Sequence, residues 1–121
     1  MKFYTCESCG SILTFVNQQE GLSCCGKPLT EILPNSTSAS LEKHIPVVEK
    51  MGNHVLVKVS SVPHPMAPEH YIEWVILETN KGYQLKNLNP GDAPMAEFVL
   101  ANGEEVLTAY AYCNIHKLWK A

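Results

Sequence analysis

Arginine is missing from this 121-residue chain: all nine basic side chains are lysines, set against twelve acids for a formal net charge of −3. Without guanidinium forks for phosphates or base edges, and without an excess of positive charge to draw a polyanion, nucleic acid is excluded as the expected partner. Also missing is any apolar run near the roughly 20 residues that a membrane-crossing helix needs. The opening MKFYTCESCG lacks the apolar stretch and small-residue cleavage site of a secretory leader, so the expectation is a cytoplasmic protein with no membrane partner. No helical pattern reaches ten residues and no internal repeat is present. What is there is ordinary for a soluble globular protein, 45% hydrophobic and 17% charged, at a length suited to one domain or one domain plus a small appendage. Five cysteines are an odd count for a disulfide framework, and in a reducing compartment they read better as metal ligands or catalytic groups.

The cysteines divide the chain. Cys6, Cys9, Cys24 and Cys25 crowd the first 25 residues, whereas Cys113 stands alone near the end. Between them the polar stretch from Pro34 to Ser40 has the composition of a linker or surface loop, which places the expected boundary at residue 37, with units 1–37 and 38–121. The first unit is too short to bury a core of its own, since chains under about 40 residues generally need a metal, disulfides or a partner. The second reads as extended segments: Val55–Val59, Tyr71–Thr79, Tyr83–Leu88, Glu97–Ala101 and Val106–Cys113. Turn signals such as Met51-Gly52-Asn53, Asn80-Lys81-Gly82 and Asn89-Pro90-Gly91-Asp92 separate them, and together they predict a mainly β protein built as a small antiparallel sandwich.

Cys6-x-x-Cys9 followed by Cys24-Cys25 supplies four thiolates, the number that closes a tetrahedral shell around iron or zinc. A zinc knuckle that merely folds the segment is one reading. The adjacent pair argues for another, because zinc ribbons mostly use two CxxC knuckles, and ferredoxin spacings do not match either. With Gly26 after the pair, Cys24-Cys25-Gly26 resembles desulforedoxin, which implies a mononuclear Fe(Cys)4 centre that shuttles one electron.

Four of the five histidines fall in segments that a β-domain could gather: His44, His64, His70 and His116. His54 lies within a strand-like run and is left out as a solvent-facing or hydrogen-bonded residue. Cys113-x-x-His116 could belong to a blue-copper site, but no methionine follows it, and Met66 and Met95 lie far upstream. Catalytic zinc usually takes three protein ligands, fewer than the five donors here. Iron suits five better.

The motifs EKHIP, HPMxPEHYIEW and CNIHxLWK, in that order behind the four cysteines, resemble superoxide reductase of the two-iron desulfoferrodoxin type, with a desulforedoxin-like N-terminal domain. The resemblance covers nearly the whole chain and implies an immunoglobulin-like β-sandwich for the second domain. It implies a ferrous centre with His44, His64, His70 and His116 as equatorial imidazoles, Cys113 as axial thiolate and an open sixth position. Superoxide would be reduced there to hydrogen peroxide without production of oxygen. Lys43 is implied as the charge that attracts the anion, and Glu42 as a ligand of the oxidised iron. Iron is the one cofactor expected, as two mononuclear ions per chain. A homodimer and a rubredoxin-like electron donor are further implications. Tyr112, Trp119 and Trp74 read as core or site-wall packing, and Pro46 and Pro65 as residues that shape ligand loops. Two other readings stay open: a non-catalytic iron electron-transfer protein, and a zinc-stapled interaction module.

Overall fold

The computed structural model describes residues 1–17 and 21–121. It divides into two compact units, Met1–Leu33 and Pro34–Ala121. Residues 34–37, counted with the first unit in the sequence reading, therefore go with the second. Asn35 explains this: its N–H donates to Leu118 O at 3.0 Å, and its side-chain amide donates to Lys120 O at 3.1 Å and accepts from Lys120 N–H at 2.8 Å. Both backbone and side chain of the supposed linker are tied to the C-terminal strand.

The first unit holds five very short strands: β1 (Phe3–Thr5), β2 (Ile12–Leu13), β3 (Ser23–Cys24), β4 (Lys27–Pro28) and β5 (Thr30–Ile32). They make a three-stranded antiparallel sheet in the order β2-β1-β5 and a separate β3-β4 hairpin. Among the described residues, Phe3 and Cys6 are its only fully buried apolar side chains. That is too little to hold 33 residues by the hydrophobic effect, at roughly 2 kcal/mol for each large buried side chain.

The second unit opens on a single turn of helix, α1 (Leu41–His44), followed by β6 (Val47–Met51), β7 (His54–Lys58), β8 (Ile72–Thr79), β9 (Gly82–Asn87), β10 (Met95–Val99), β11 (Val106–Cys113) and β12 (Lys117–Lys120). Two antiparallel sheets result, β10-β7-β6 and β12-β11-β8-β9, stacked as an immunoglobulin-like sandwich. The period of two sets the inner faces. Val55, Val57 and Val59 from the β7 segment, Ala96, Phe98 and Leu100 from the β10 segment, Val75 and Leu77 from β8, and Ala109, Ala111 and Cys113 from β11 fill one core. The five segments expected as strands are all strands here, with ends shifted by up to two residues, and β6 and β12 are added at the sheet edges.

The pairing of β8 with β11 shifts register twice, once between Val106 and Thr108 and once at the site end of the strands. Tyr112 pairs with Trp74, but the next residue, Cys113, pairs with Ile72, so β8 carries an extra residue, Glu73, opposite the end of β11. The bulge reverses the alternation and lets Ile72 and Val75 both face inward. It sits where the last inward residue of β11 is a cysteine.

Candidate metal centres

In the first unit the sulfurs are gathered by two turns. The CxxC loop closes through Gly10 N–H to Cys6 O at 2.8 Å and Cys6 N–H to Ser11 O at 3.0 Å. The adjacent pair is explained by the β3-β4 hairpin: Cys24 pairs with Lys27, leaving Cys25 and Gly26 as a two-residue loop with φ of 53° and 75°. Two positive φ values in succession are what a type I′ turn requires, and its sharp reversal lets neighbouring cysteines both face one point.

Cys9 Sγ lies 3.6 Å from Cys24 Sγ, which lies 3.9 Å from Cys25 Sγ, and all four sulfurs fall within 4.8 Å of one another. A tetrahedron with metal–sulfur arms of about 2.3 Å has edges of about 3.8 Å, so the spacing fits a single ion. Titration agrees with the geometry. Cys9, accepting from the Ser11 hydroxyl at 3.1 Å, is brought down to about 6, while Cys24, hydrogen-bonded to Cys6 and Cys9, is pushed up to about 12. Four thiols this close cannot all ionise unless a cation joins them.

The second cluster draws on four places in the sandwich. His44 ends α1, His64 and His70 lie on the segment between β7 and β8, Cys113 closes β11, and His116 is in the turn before β12. The imidazoles form a four-sided ring. Centroids are 4.7 Å apart for His44–His64, 4.7 Å for His64–His70, 5.2 Å for His70–His116 and 4.8 Å for His44–His116, with edge-to-face angles of 76–89°. Across the ring His44 and His70 are 6.5 Å apart and tilted by 30°, as opposite corners should be. Cys113 Sγ lies 3.9 Å from His116 Nδ1, and the cysteine is completely buried.

The donor atoms can be assigned from what the other ring nitrogens do. His44 Nδ1–H donates to Ser40 O and His64 Nδ1–H to Pro65 O, both at 2.7 Å, which leaves each Nε2 a bare lone pair. Yet those two Nε2 atoms are 3.1 Å apart, and His116 Nδ1 is 3.1 Å from His44 Nε2. Lone pairs converging at that distance repel unless something positive lies between them. A proton is disfavoured, because burial pushes His64 down to about 4 and lowers His44 and His70 as well. A metal ion with nitrogen bonds of about 2.1 Å at right angles gives nitrogen–nitrogen edges of about 3.0 Å, and the residues fit it. His70 Nε2, buried with no hydrogen-bond partner, is the orphaned polar atom such an ion would satisfy.

Trp119 buttresses the ring. It is fully buried, stacks on His44 at 4.7 Å and donates from Nε1 to His116 O at 3.0 Å. Trp74 and Tyr112 stack on each other at 5.3 Å. Burial pushes the Cys113 thiol up, and the His116 N–H, 3.4 Å from Sγ, acts in the opposite direction. Glu42 and Lys43 are exposed on α1 next to the first histidine, and the Lys43 charge contributes to lowering both His44 and His70. His54 is exposed on β7, on the outer face of its sheet, and belongs to neither cluster. The residue that sequence reasoning missed is Asn114, whose amide binds the peptides on both sides of His70. Its signal was available, an amide placed between two expected ligands.

A two-sheet β-sandwich with a mixed imidazole-thiolate cluster, preceded by a four-thiolate knot, defines a non-haem metalloprotein. The desulfoferrodoxin family model matches residues 36–121, and the chain belongs to the desulfoferrodoxin family. It is 44% identical over 122 residues to a desulfoferrodoxin homolog of Archaeoglobus fulgidus, covering 100% of this chain and 96% of that protein. To a superoxide reductase of Pyrococcus horikoshii it is 38% identical over 96 residues, 65% of this chain and 84% of that protein. The crystal structure of the superoxide reductase from Treponema pallidum matches with a TM-score of 0.83 and 39% identity, covering 100% of this chain and 99% of that one. The family is one of oxidoreductases that binds iron at two sites, and the four-cysteine and histidine-cysteine groups are those able to hold it. Among the described residues no helix is long and apolar enough to cross a membrane.

Proposed function

We propose that this chain is a superoxide reductase, reducing superoxide by one electron to hydrogen peroxide at a ferrous ion held by His44, His64, His70, His116 and Cys113. The observation that carries the reading is the ring of four imidazoles with a buried thiol within 4.8 Å of the His44, His70 and His116 donor atoms. Iron bound there supplies the electron. The residues do the rest. Burial keeps His44, His64 and His70 neutral, the form that binds metal, and Cys113 is the one donor of the five that would bind as an anion. Exposed Lys43 provides local positive charge on a chain whose net charge would repel an anion. Glu42, its exposed neighbour, would offer a carboxylate ligand to the oxidised iron. Cys6, Cys9, Cys24 and Cys25 would hold the second iron. A rubredoxin-like donor, a homodimeric state and a cytoplasmic location belong to the same proposal.

The test is stoichiometric. Reduced protein is mixed with a measured dose of superoxide, and peroxide and oxygen are both followed. One peroxide for each superoxide, with no oxygen evolved, is the expected result. Oxygen released in equal amount to peroxide would make the protein a dismutase, and superoxide left unconsumed would make it an electron carrier.

A further inference from the structure

The four imidazoles are anchored unevenly. His44 and His64 each fix their own ring through the Nδ1–H bonds to Ser40 O and Pro65 O. His116 is held by its N–H to Cys113 Sγ and by the Trp119 indole on its carbonyl. His70, like His116, has no carbonyl fixing its ring, and its Nε2 is, among the described residues, the buried side-chain atom without a partner. Its place must come from the backbone around it. Locally, His70 and Ala67 exchange N–H···O bonds, both at 3.0 Å, and close residues 67–70 into a turn. A turn closed only on itself can still tilt as a body.

Asn114 removes that freedom. Its Nδ2 donates to Glu69 O at 3.1 Å, its Oδ1 accepts from Tyr71 N–H at 3.0 Å, and its own N–H donates to Tyr71 O at 3.2 Å. The peptides on either side of His70 are thereby pinned to the residue that directly follows Cys113. The side chain is half-buried, and both ends of its amide are used, which only Asn can do at this length. Resting on the functional reading above, we propose that Asn114 is the positioning residue of His70. By gripping residues 69 and 71 it keeps the fourth imidazole on the ring and controls how tightly the site retains iron. A group that merely stabilised the turn would change the melting temperature and leave the metal's behaviour alone.

The test uses the full two-iron protein, with Asn114→Ala, Asn114→Asp, His70→Ala and the Asn114→Ala/His70→Ala pair. Readouts are the rate at which a ferrous chelator strips iron from the His/Cys site and the paramagnetic resonance spectrum of its ferric form. The four-cysteine chromophore reports folding in the same sample. Partners that orient a metal ligand are typically worth 10–100-fold in metal affinity, so Asn114→Ala is expected to release iron 10–100-fold faster. Its spectrum should move toward that of His70→Ala, and adding it to His70→Ala should change little more. Asn114→Asp, which keeps the acceptor for Tyr71 and loses the donor to Glu69, should fall between. Parent release and parent spectrum in Asn114→Ala, or full additivity in the pair, would overturn the proposal. Should Asn114→Ala not accumulate, parent behaviour of Asn114→Asp overturns it in the same way. A parent protein that binds iron here yet ignores superoxide would sink the functional reading while leaving this one standing.

Discussion

Cys113 and Lys43 stand for two kinds of contribution a single side chain makes to this site. Cys113 is the buried sulfur beside the imidazoles, and Cys113→Ser exchanges a soft donor for a hard, weakly acidic one. The expected outcome is loss of iron from the His/Cys site with the four-cysteine chromophore retained, checked by metal analysis and the visible spectrum. Lys43 acts at a distance and in solvent, so Lys43→Ala should keep both irons and slow superoxide capture by roughly tenfold, the low end of electrostatic steering. Raising the ionic strength should slow the parent and leave the variant nearly unchanged. Tyr110 shows a pH effect away from the metals. Burial first, and then the Glu78 carboxylate that its hydroxyl bonds at 3.2 Å, push the phenol up to about 12. The folded chain thus keeps a proton that the unfolded chain loses near pH 10, so this contribution is complete below about pH 10 and is lost as the pH rises toward 12. Thermal unfolding across that range should show the parent losing more stability than Tyr110→Phe.

Among the elements, the β3-β4 hairpin is the one whose conformation is most exacting. Gly26 has open space around the position of a Cβ, so Gly26→Ala meets no clash, but at φ +75° it costs about 1 kcal/mol of backbone strain. That loss should appear as faster stripping of the Fe(Cys)4 centre by a chelator, with the His/Cys site unaffected. The longer elements could be read directly from the sequence. Val55, Val57 and Val59 alternate, and Val106–Cys113 is a strand from its first residue to its last. β6 and β12 were harder, since Val47-Val48-Glu49-Lys50-Met51 does not alternate and Lys117–Lys120 spans only four residues. The two- and three-residue strands of the first unit carry no periodicity at all and exist because turns and sulfurs hold them. For the site, the sequence offered nine candidate donors, four from cysteine spacing and five from the family resemblance, but not Asn114, because a clamp between residues 114 and 69–71 is visible only once β11 lies beside the loop preceding β8. The bulge at Glu73 was equally invisible, being a property of register rather than of either strand.

Taken whole, the molecule stabilises its two units by different physics. The second has a continuous core of Val, Leu, Phe and Ala side chains from both sheets. The first has Phe3, Cys6 and four sulfurs. Metal removal should separate them: for the first unit binding free energy is folding free energy, whereas the sandwich keeps its own. Reduced apoprotein followed by circular dichroism and amide exchange should show protection lost in residues 1–33 and kept in β7, β8, β10 and β11. A single transition common to both units would contradict this. The division between Leu33 and Pro34 also bears on inheritance. Because the downstream scaffold closes its interior without help, the upstream unit is free to be swapped, duplicated or discarded by recombination, and descendants of such an event would still inherit a working sandwich.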